Sequence, residues 1–532
     1  MRAADRRGAT SRRQTVMLVG IPLVLVFLAS AGIMVVELVV ARLIARHVGT
    51  SLYTWTSIIG VVLAGVSVGN IVGGVLADRL GAARVRAAIG FLFLAAGALS
   101  VSVLWVHWWA FDVSLGLNAA WPARILVGVV LTVFLPAVAL GAIGPMVATW
   151  TLHRTEVVGG VVGSLYSSSS LGAIAGTLVT GYWLIATFGT STVLQMVGLI
   201  FAITGFLLHT SRRSVGGLVV VVVLMWLATP LPGLNSAVPG LVPRPLFEDP
   251  GVVYVDESAY QSIAIVRTQD GVLALHLDDL IHGYIDVRDD GNLLYPYLRI
   301  FGSIIDASGI VDVYDRSAFL ALGGGAYTFP RYLHGRYPFS ETVTVEVDPH
   351  VTRASRAAMG LRDEPRLEVM HYDARQAVSI LRDGGRQFDV VLADAFRDVA
   401  VPHHLTTREF MLQVQALLSV DGMMLSNVID NFDVGRFLGA YVNTKAQVFP
   451  HVWVVAPSPL SLHAARETFV VVGSNTAIDL DVFNSAAAAQ RLPWHVLDDD
   501  EMATLRERSR GLVLTDDFAP VEHLLASWQG PK

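Results

Sequence analysis

Residues 319–349, FLALGGGAYTFPRYLHGRYPFSETVTVEVDP, read as strand, glycine turn, helix and second strand. The apolar run stops at Gly323, Gly324 and Gly325, where the backbone can come close to a ligand because no Cβ intervenes. The helix that follows offers unpaired N–H groups at its start. The alternation SETVTVEVD then closes on Glu346, 21 residues after Gly325. At that spacing an acidic side chain on the tip of the second strand accepts hydrogen bonds from ribose hydroxyls. A dinucleotide fingerprint would read GxGxxG, whereas here the run continues Ala326, Tyr327, Thr328. The stretch points to a parallel α/β sheet with a nucleoside site at its carboxyl edge.

Working outward, LEVMHYD (367–373), FDVVLADA (388–395) and DGMMLSNVID (421–430) repeat the strand rhythm with helical stretches between them, which predicts right-handed crossovers. HVWVVAP (451–457) and ETFVVVG (467–473) complete seven strands, the last two as an antiparallel edge hairpin. Asp373 closes the third strand, where it can meet an adenine amino group, and Asp394 closes the fourth, nearest the reacting centre. Upstream, from 251 to 284, short alternating runs such as QSIAIVRT and VLALHLDD flank turn residues Asp270 and Gly271 and form a small antiparallel β-region. LTTREF (405–410) reads as a helix start capped by Thr406 or Thr407 with Glu409 nearby. His403 and His404 sit in a Pro-containing loop without metal-ligand spacing to another His, Asp or Glu, so no metal is expected.

The first half has a different grammar. The chain has 532 residues, of which 53% are hydrophobic and 15% charged, and before Pro230 the apolar residues gather into long runs. Apolar runs at about 16–44, 54–77, 87–110, 124–149, 157–185, 188–208 and 215–232 are each long enough to cross roughly 30 Å of hydrocarbon, which gives an expectation of seven spans. The last, valine-rich and closed by Pro230 and Pro232, is the weakest. Arg2, Arg6, Arg7, Arg12 and Arg13 precede a first apolar run too long for a signal peptide, which reads as a retained first helix. Those arginines, with Arg79, Arg84, Arg86, Arg154, Arg212 and Arg213, favour one cytoplasmic face. Seven crossings from a cytoplasmic start put the soluble half outside, in tension with a ligand found inside cells. Gly65, Gly69 and Gly73 recur every four residues and leave a bare helix face for a neighbour. Glu37, inside the first span and followed by Arg42 and Arg46, is a costly intramembrane carboxylate, structural or functional. The expected regions are a membrane domain (1–235), the small β-region (250–300) and the α/β domain (301–532).

Composition excludes several classes. A net charge of −6 without clustered Lys and Arg gives no nucleic-acid footprint. With no cysteine, disulfides, thiolate nucleophiles and zinc–thiolate sites are absent.

From Tyr260 to about Asn475, roughly two fifths of the chain, the sequence resembles the spermidine synthase (polyamine aminopropyltransferase) family, and the whole resembles its membrane-fused form, a transporter-like/spermidine synthase fusion. GGVLADRLGAAR (73–84), with Asp78, Arg79 and Gly81, is similar to a short cytoplasmic loop signature of major facilitator transporters, but a second six-helix half is missing. LALGGGAY matches the family's glycine motif, VEVDP with Glu346 its ribose strand, YDAR with Asp373 and Ala374 its adenine pocket, and Gln261 its early nucleoside-contacting glutamine. FDVVLADAF with Asp394 matches the strand carrying the general base.

The resemblance implies a class I methyltransferase-like sheet, decarboxylated S-adenosylmethionine or S-adenosylmethionine as co-substrate, and an amine-type acceptor such as a polyamine. It further implies a multi-pass protein of the cell membrane in contact with the bilayer, and a homodimer. Four positions depart from the pattern: Ala326 stands where an aspartate would hold the aminopropyl amine, and Arg397 replaces a second acid, with Asp398 one step late. The YHE motif reads Tyr295, Pro296, Tyr297, and His282 replaces a glutamine. All four fall on groups that would hold a cationic amine, and Asp398 and Tyr297 are the remaining substrate-binding candidates. Three functions follow as expectations: aminopropyl transfer, methyl transfer on the same fold, or a non-catalytic ligand sensor or transporter accessory.

Overall fold

The computed structural model describes residues 2–154, 158–209, 211–228, 251–278, 280–395, 401–489 and 493–525. The chain divides into two compact units, Met1–Pro245 and Leu246–Lys532.

The first unit is helical: α1 (Arg2–Val48), α2 (Leu52–Arg79), α3 (Ala82–Leu115), α4 (Trp121–Gly141), α5 (Ile143–Leu152), α6 (Val158–Val179), a π-helical turn at Thr180–Leu184, α7 (Ile185–Leu208) and α8 (Arg212–Ala228). Among the described residues five stretches are long and apolar enough to cross a membrane: Gly20–Val48, Leu52–Arg79, Arg84–Leu115, Trp121–Leu152 and Thr187–Leu208. Two of the seven expected spans, 157–185 and 215–232, do not meet that test among the described residues. The 157–185 segment is diluted by Ser167–Ser170, and the 17 described residues of α8 cover about 25 Å at 1.5 Å per residue. Pro230 and Pro232, which close the seventh expected span, lie outside the described residues.

The serines of α6 have partners in the bundle. Ser168 Oγ donates to the Leu23 carbonyl at 2.7 Å, and Ser169 Oγ meets Ser30 Oγ at 2.7 Å, so α6 packs on α1 despite its polarity. Glu37 is half-buried in α1. Arg46, buried near the end of that helix, places its guanidinium 5.9 Å from the Trp108 ring centroid, and His47 Nε2 meets His107 Nδ1 at 2.8 Å.

The glycine face of α2 is used. A Cβ on Gly65 would stand 2.7 Å from Ala137 Cβ, and one on Gly69 would stand 2.9 Å from the Ala142 nitrogen, whereas Gly74, on another face, has nothing within 4 Å. Gly69→Leu is therefore expected to destabilise the detergent-solubilised protein by about 2 kcal/mol or more through overpacking. Gly74→Leu should leave its thermal unfolding unchanged, which makes the pair an internal control.

The second unit opens with a four-stranded antiparallel sheet in sequence order, β1 (Val252–Glu257), β2 (Ser262–Arg267), β3 (Leu273–Leu277) and β4 (Leu280–Ile285). The main sheet comprises β5 (Ala318–Leu322), β6 (Glu341–Val345), β7 (Leu367–Met370), β8 (Phe388–Ala393), β9 (Leu418–Asp430), β10 (His451–Ala456), β11 (Glu467–Ser474) and β12 (His495–Val496). Its order is β12-β10-β11-β9-β8-β5-β6-β7. The seven expected strands become eight in a mixed sheet. β5 to β9 run parallel, while β11, β10 and β12 are antiparallel, the last a two-residue pairing of His495 and Val496 with Ala456 and Val455. Apolar side chains of β5, β6 and β8, such as Leu320, Leu322, Val343, Val345 and Val391, are buried against the helix Ala374–Asp383.

Candidate active site

Parallel register sets the site. Leu322 lies beside both Val345 and Ala393, and Val345 beside Met370, so β5, β6, β7 and β8 end along one edge. The next residues continue the ladder: Gly323 N donates to the Val345 carbonyl at 2.9 Å, and Asp394 N to the Leu322 carbonyl at 2.9 Å. Gly323 has φ +108°, and a Cβ there would stand 2.8 Å from the Asp394 carbonyl carbon, so only glycine fits where the turn passes Asp394.

Glu346, one residue past β6, is buried and holds this turn. Its Oε2 accepts from Gly324 N at 3.0 Å and Gly325 N at 3.3 Å, and its Oε1 from Asp348 N at 2.9 Å. Burial raises its carboxyl above the usual range, with the Asp348 and Gly324 N–H groups opposing. A carboxylate offers about four acceptor positions, so one remains on Oε1. Asp348, in turn, caps the helix Pro349–Ala358 and accepts from Gln261 Nε2 at 3.5 Å, which links Gln261 at the head of β2 to the Glu346 turn.

Asp373 caps the helix Ala374–Asp383, its Oδ1 accepting from Arg375 N at 2.9 Å and Gln376 N at 3.4 Å, while Ala374 is buried beside it. His404, from the short 3-10 turn His403–Leu405, brings Nε2 within 2.9 Å of Asp373 Oδ2. That contact first, and the cap N–H groups with it, hold the Asp373 carboxyl below its ordinary value despite partial burial. One acceptor position remains here too. Thr407 caps the helix Arg408–Gln415 and accepts from Phe410 N at 3.3 Å.

Asp394 lies between two donors. Tyr297 Oη donates to Oδ2 at 2.8 Å and Asn427 Nδ2 to Oδ1 at 2.7 Å. Burial pushes the Asp394 carboxyl up to about 6, with Asn427 and Tyr297 pulling it down. Asn427 comes from β9, where Ser426 pairs with Ala393 and sets the next residues of both strands side by side. The neighbouring Ser426 is fixed from below by the buried Lys445, whose Nζ donates to Ser426 Oγ at 2.8 Å and to the Val471 carbonyl at 2.8 Å. Sequence reasoning missed Asn427; the polar pair Ser426–Asn427 inside an apolar strand was its only signal. Asp398 and Arg397 lie outside the described residues. Among the described residues no group of three or more His, Cys, Asp or Glu could hold a metal.

This arrangement can do one kind of chemistry well. It offers a carboxylate poised near neutral pH, with acceptor positions left, beside a glycine turn and two further acids that each keep one position for a ligand N–H or O–H.

No family model matches the chain. It is 30% identical over 217 residues to the polyamine aminopropyltransferase of Pyrobaculum arsenaticum, covering 38% of this chain and 71% of that relative. It is 26% identical over 427 residues to polyamine aminopropyltransferase 1 of Streptomyces coelicolor, covering 76% of this chain and 74% of that relative. That share exceeds what the 287 positions from Leu246 to Lys532 can supply, so this similarity extends into the helical unit. A crystal structure of a probable spermidine synthase from Corynebacterium glutamicum aligns over 50% of this chain and 96% of its own, at 22% identity and a TM-score of 0.44.

Proposed function

Because the chain belongs to the polyamine aminopropyltransferase family, we propose that it is a membrane-bound transferase that moves an aminopropyl group from decarboxylated S-adenosylmethionine to an amine. The observation that carries this reading is the Asp394 carboxylate, held by Tyr297 and Asn427 at the tip of β8 with its pKa pushed up to about 6. In the reaction an amine lone pair attacks the aminopropyl carbon bound to the sulfonium. The C–S bond breaks, its electrons return to sulfur, and methylthioadenosine leaves as a neutral thioether. The amine nitrogen must lose a proton, and Asp394, ionised at neutral pH, accepts it and orients the attack. Glu346 is assigned the ribose through the position free on Oε1, Asp373 with Ala374 the adenine, Gln261 support of the Glu346 turn, and Gly323 to Gly325 the close backbone approach.

The base works when ionised, so kcat/KM for thioether release should rise as pH increases through about 6 and then level. Tyr297 is a donor that lowers the pKa of Asp394, so Tyr297→Phe should move this limb to higher pH. A rate independent of pH from about 5 to 8 would contradict the role of Asp394.

One observation favours methyl transfer as a second reading: Ala326, at the end of the glycine turn, is buried and offers no acid for an aminopropyl amine. Supplying each donor separately distinguishes the two. The five apolar helices support a multi-pass location in the cell membrane.

A further inference from the structure

The carboxylate assigned to the purine base has one acceptor position left, and what fixes that position lies 141 residues further along the chain. Asp373 Oδ1 is taken by the cap N–H groups of Arg375 and Gln376. Its Oδ2 meets His404 Nε2 at 2.9 Å, and since a carboxylate only accepts, that nitrogen carries the proton. Where His404 sits therefore decides from which side a ligand can reach Oδ2.

His404 is held through its own backbone. Arg375 Nη1 donates to the His404 carbonyl at 3.2 Å, and the same guanidinium grips Asp516 with two bonds, Nη1 to Oδ1 at 2.8 Å and Nη2 to Oδ2 at 2.6 Å. Thr407 Oγ1, the cap of the helix Arg408–Gln415, donates to Asp516 Oδ1 at 2.7 Å. One carboxylate thus joins the starts of two helices with the His403–Leu405 turn between them. Asp516 is itself fixed. Its N–H donates to Glu409 Oε2 at 3.0 Å, and Thr515 and Phe518 exchange backbone bonds at 3.1 Å and 3.0 Å. The buried Leu514 carbonyl accepts from Arg408 N at 2.8 Å, while Leu514 N donates to Thr444 Oγ1 at 2.8 Å. A forked pair between two such ions is a directional joint as well as an attraction.

We propose that Asp516 is a positioning residue that makes the nucleoside site selective for a 6-aminopurine: through Arg375 and His404 it keeps Asp373 presenting one acceptor to the exocyclic amine. This rests on the assignment of Asp373 to adenine. A 6-oxo purine turns a carbonyl oxygen to the same place, where two acceptors face each other and no hydrogen bond forms. With Asp516 neutralised, Arg375 no longer fixes the His404 carbonyl, Oδ2 can be reached from other sides, and the distinction weakens.

The test is titration calorimetry on the full chain in detergent with 5′-methylthioadenosine and 5′-methylthioinosine, which differ only at the purine 6-position. The wild type is expected to bind the amino form about a hundredfold more tightly. Asp516→Asn should lower that ratio to about tenfold or less, and its side chain is 42% exposed, so the substitution leaves the core intact. Arg375→Lys keeps the charge but loses the fork, and should lower the ratio alike. Asp517→Asn, which removes the neighbouring carboxylate, should keep the wild-type ratio. A ratio unchanged in Asp516→Asn or Arg375→Lys, even with both affinities reduced, would overturn the proposal and leave Asp373 on the adenine. So would an equal loss of selectivity in Asp517→Asn. A wild type that binds both nucleosides equally would overturn it together with the adenine assignment.

Discussion

Asp394→Asn is expected to lower kcat for thioether release by about a thousandfold while nucleoside affinity stays within about twofold, because general-base assistance contributes roughly 10²–10⁴ and the donor does not depend on this carboxylate. Asparagine preserves shape and can still accept from Asn427 Nδ2, so the pocket should persist. Stability should move the other way. A carboxyl raised from 3.8 to about 6 on folding contributes stability that is present below about pH 4 and lost as pH rises through about 6. At pH 7 the ionised Asp394 therefore costs up to about 3 kcal/mol, and the asparagine variant should melt several degrees higher. A variant that is both inactive and less stable would point to a structural carboxylate. Paired thermal melts and turnover assays at pH 7 decide between them.

The second large effect belongs to Glu346. Alanine there removes the acceptor for three backbone N–H groups, those of Gly324, Gly325 and Asp348, in a buried setting. Each buried donor left unpaired costs about 1–3 kcal/mol, so the glycine turn should lose its fixed shape. Methylthioadenosine affinity is expected to fall by about a hundredfold or more in Glu346→Ala, read by titration calorimetry. Glu346→Gln keeps one acceptor oxygen and should fall between alanine and wild type. Retained affinity in the alanine variant would remove Glu346 from the nucleoside site.

The sheet was legible because β5, β6, β7, β8 and β9 each combine an apolar run with a turn residue, and the hairpin of β10 and β11 because both are short valine-rich runs. β12 was not, since a two-residue pairing of His495 and Val496 carries no periodicity. Within 157–185 the run of Ser167–Ser170 interrupts the apolar pattern, and there Ser168 and Ser169 bond across to α1. In the site, strand-tip acids were legible from position alone. Asn427 was not, because it meets Asp394 through the β8–β9 register across 33 residues. His404 was no more visible as the partner of Asp373, for a helix and β8 separate the two in sequence.

The most direct test is to incubate the full chain with decarboxylated S-adenosylmethionine and a primary-amine acceptor, and to weigh both products by mass spectrometry. The expected products are an acceptor heavier by one aminopropyl group and an equal amount of methylthioadenosine, both lost in Asp394→Asn. A methylated acceptor formed only from S-adenosylmethionine, or aminopropylation that survives Asp394→Asn, would contradict it.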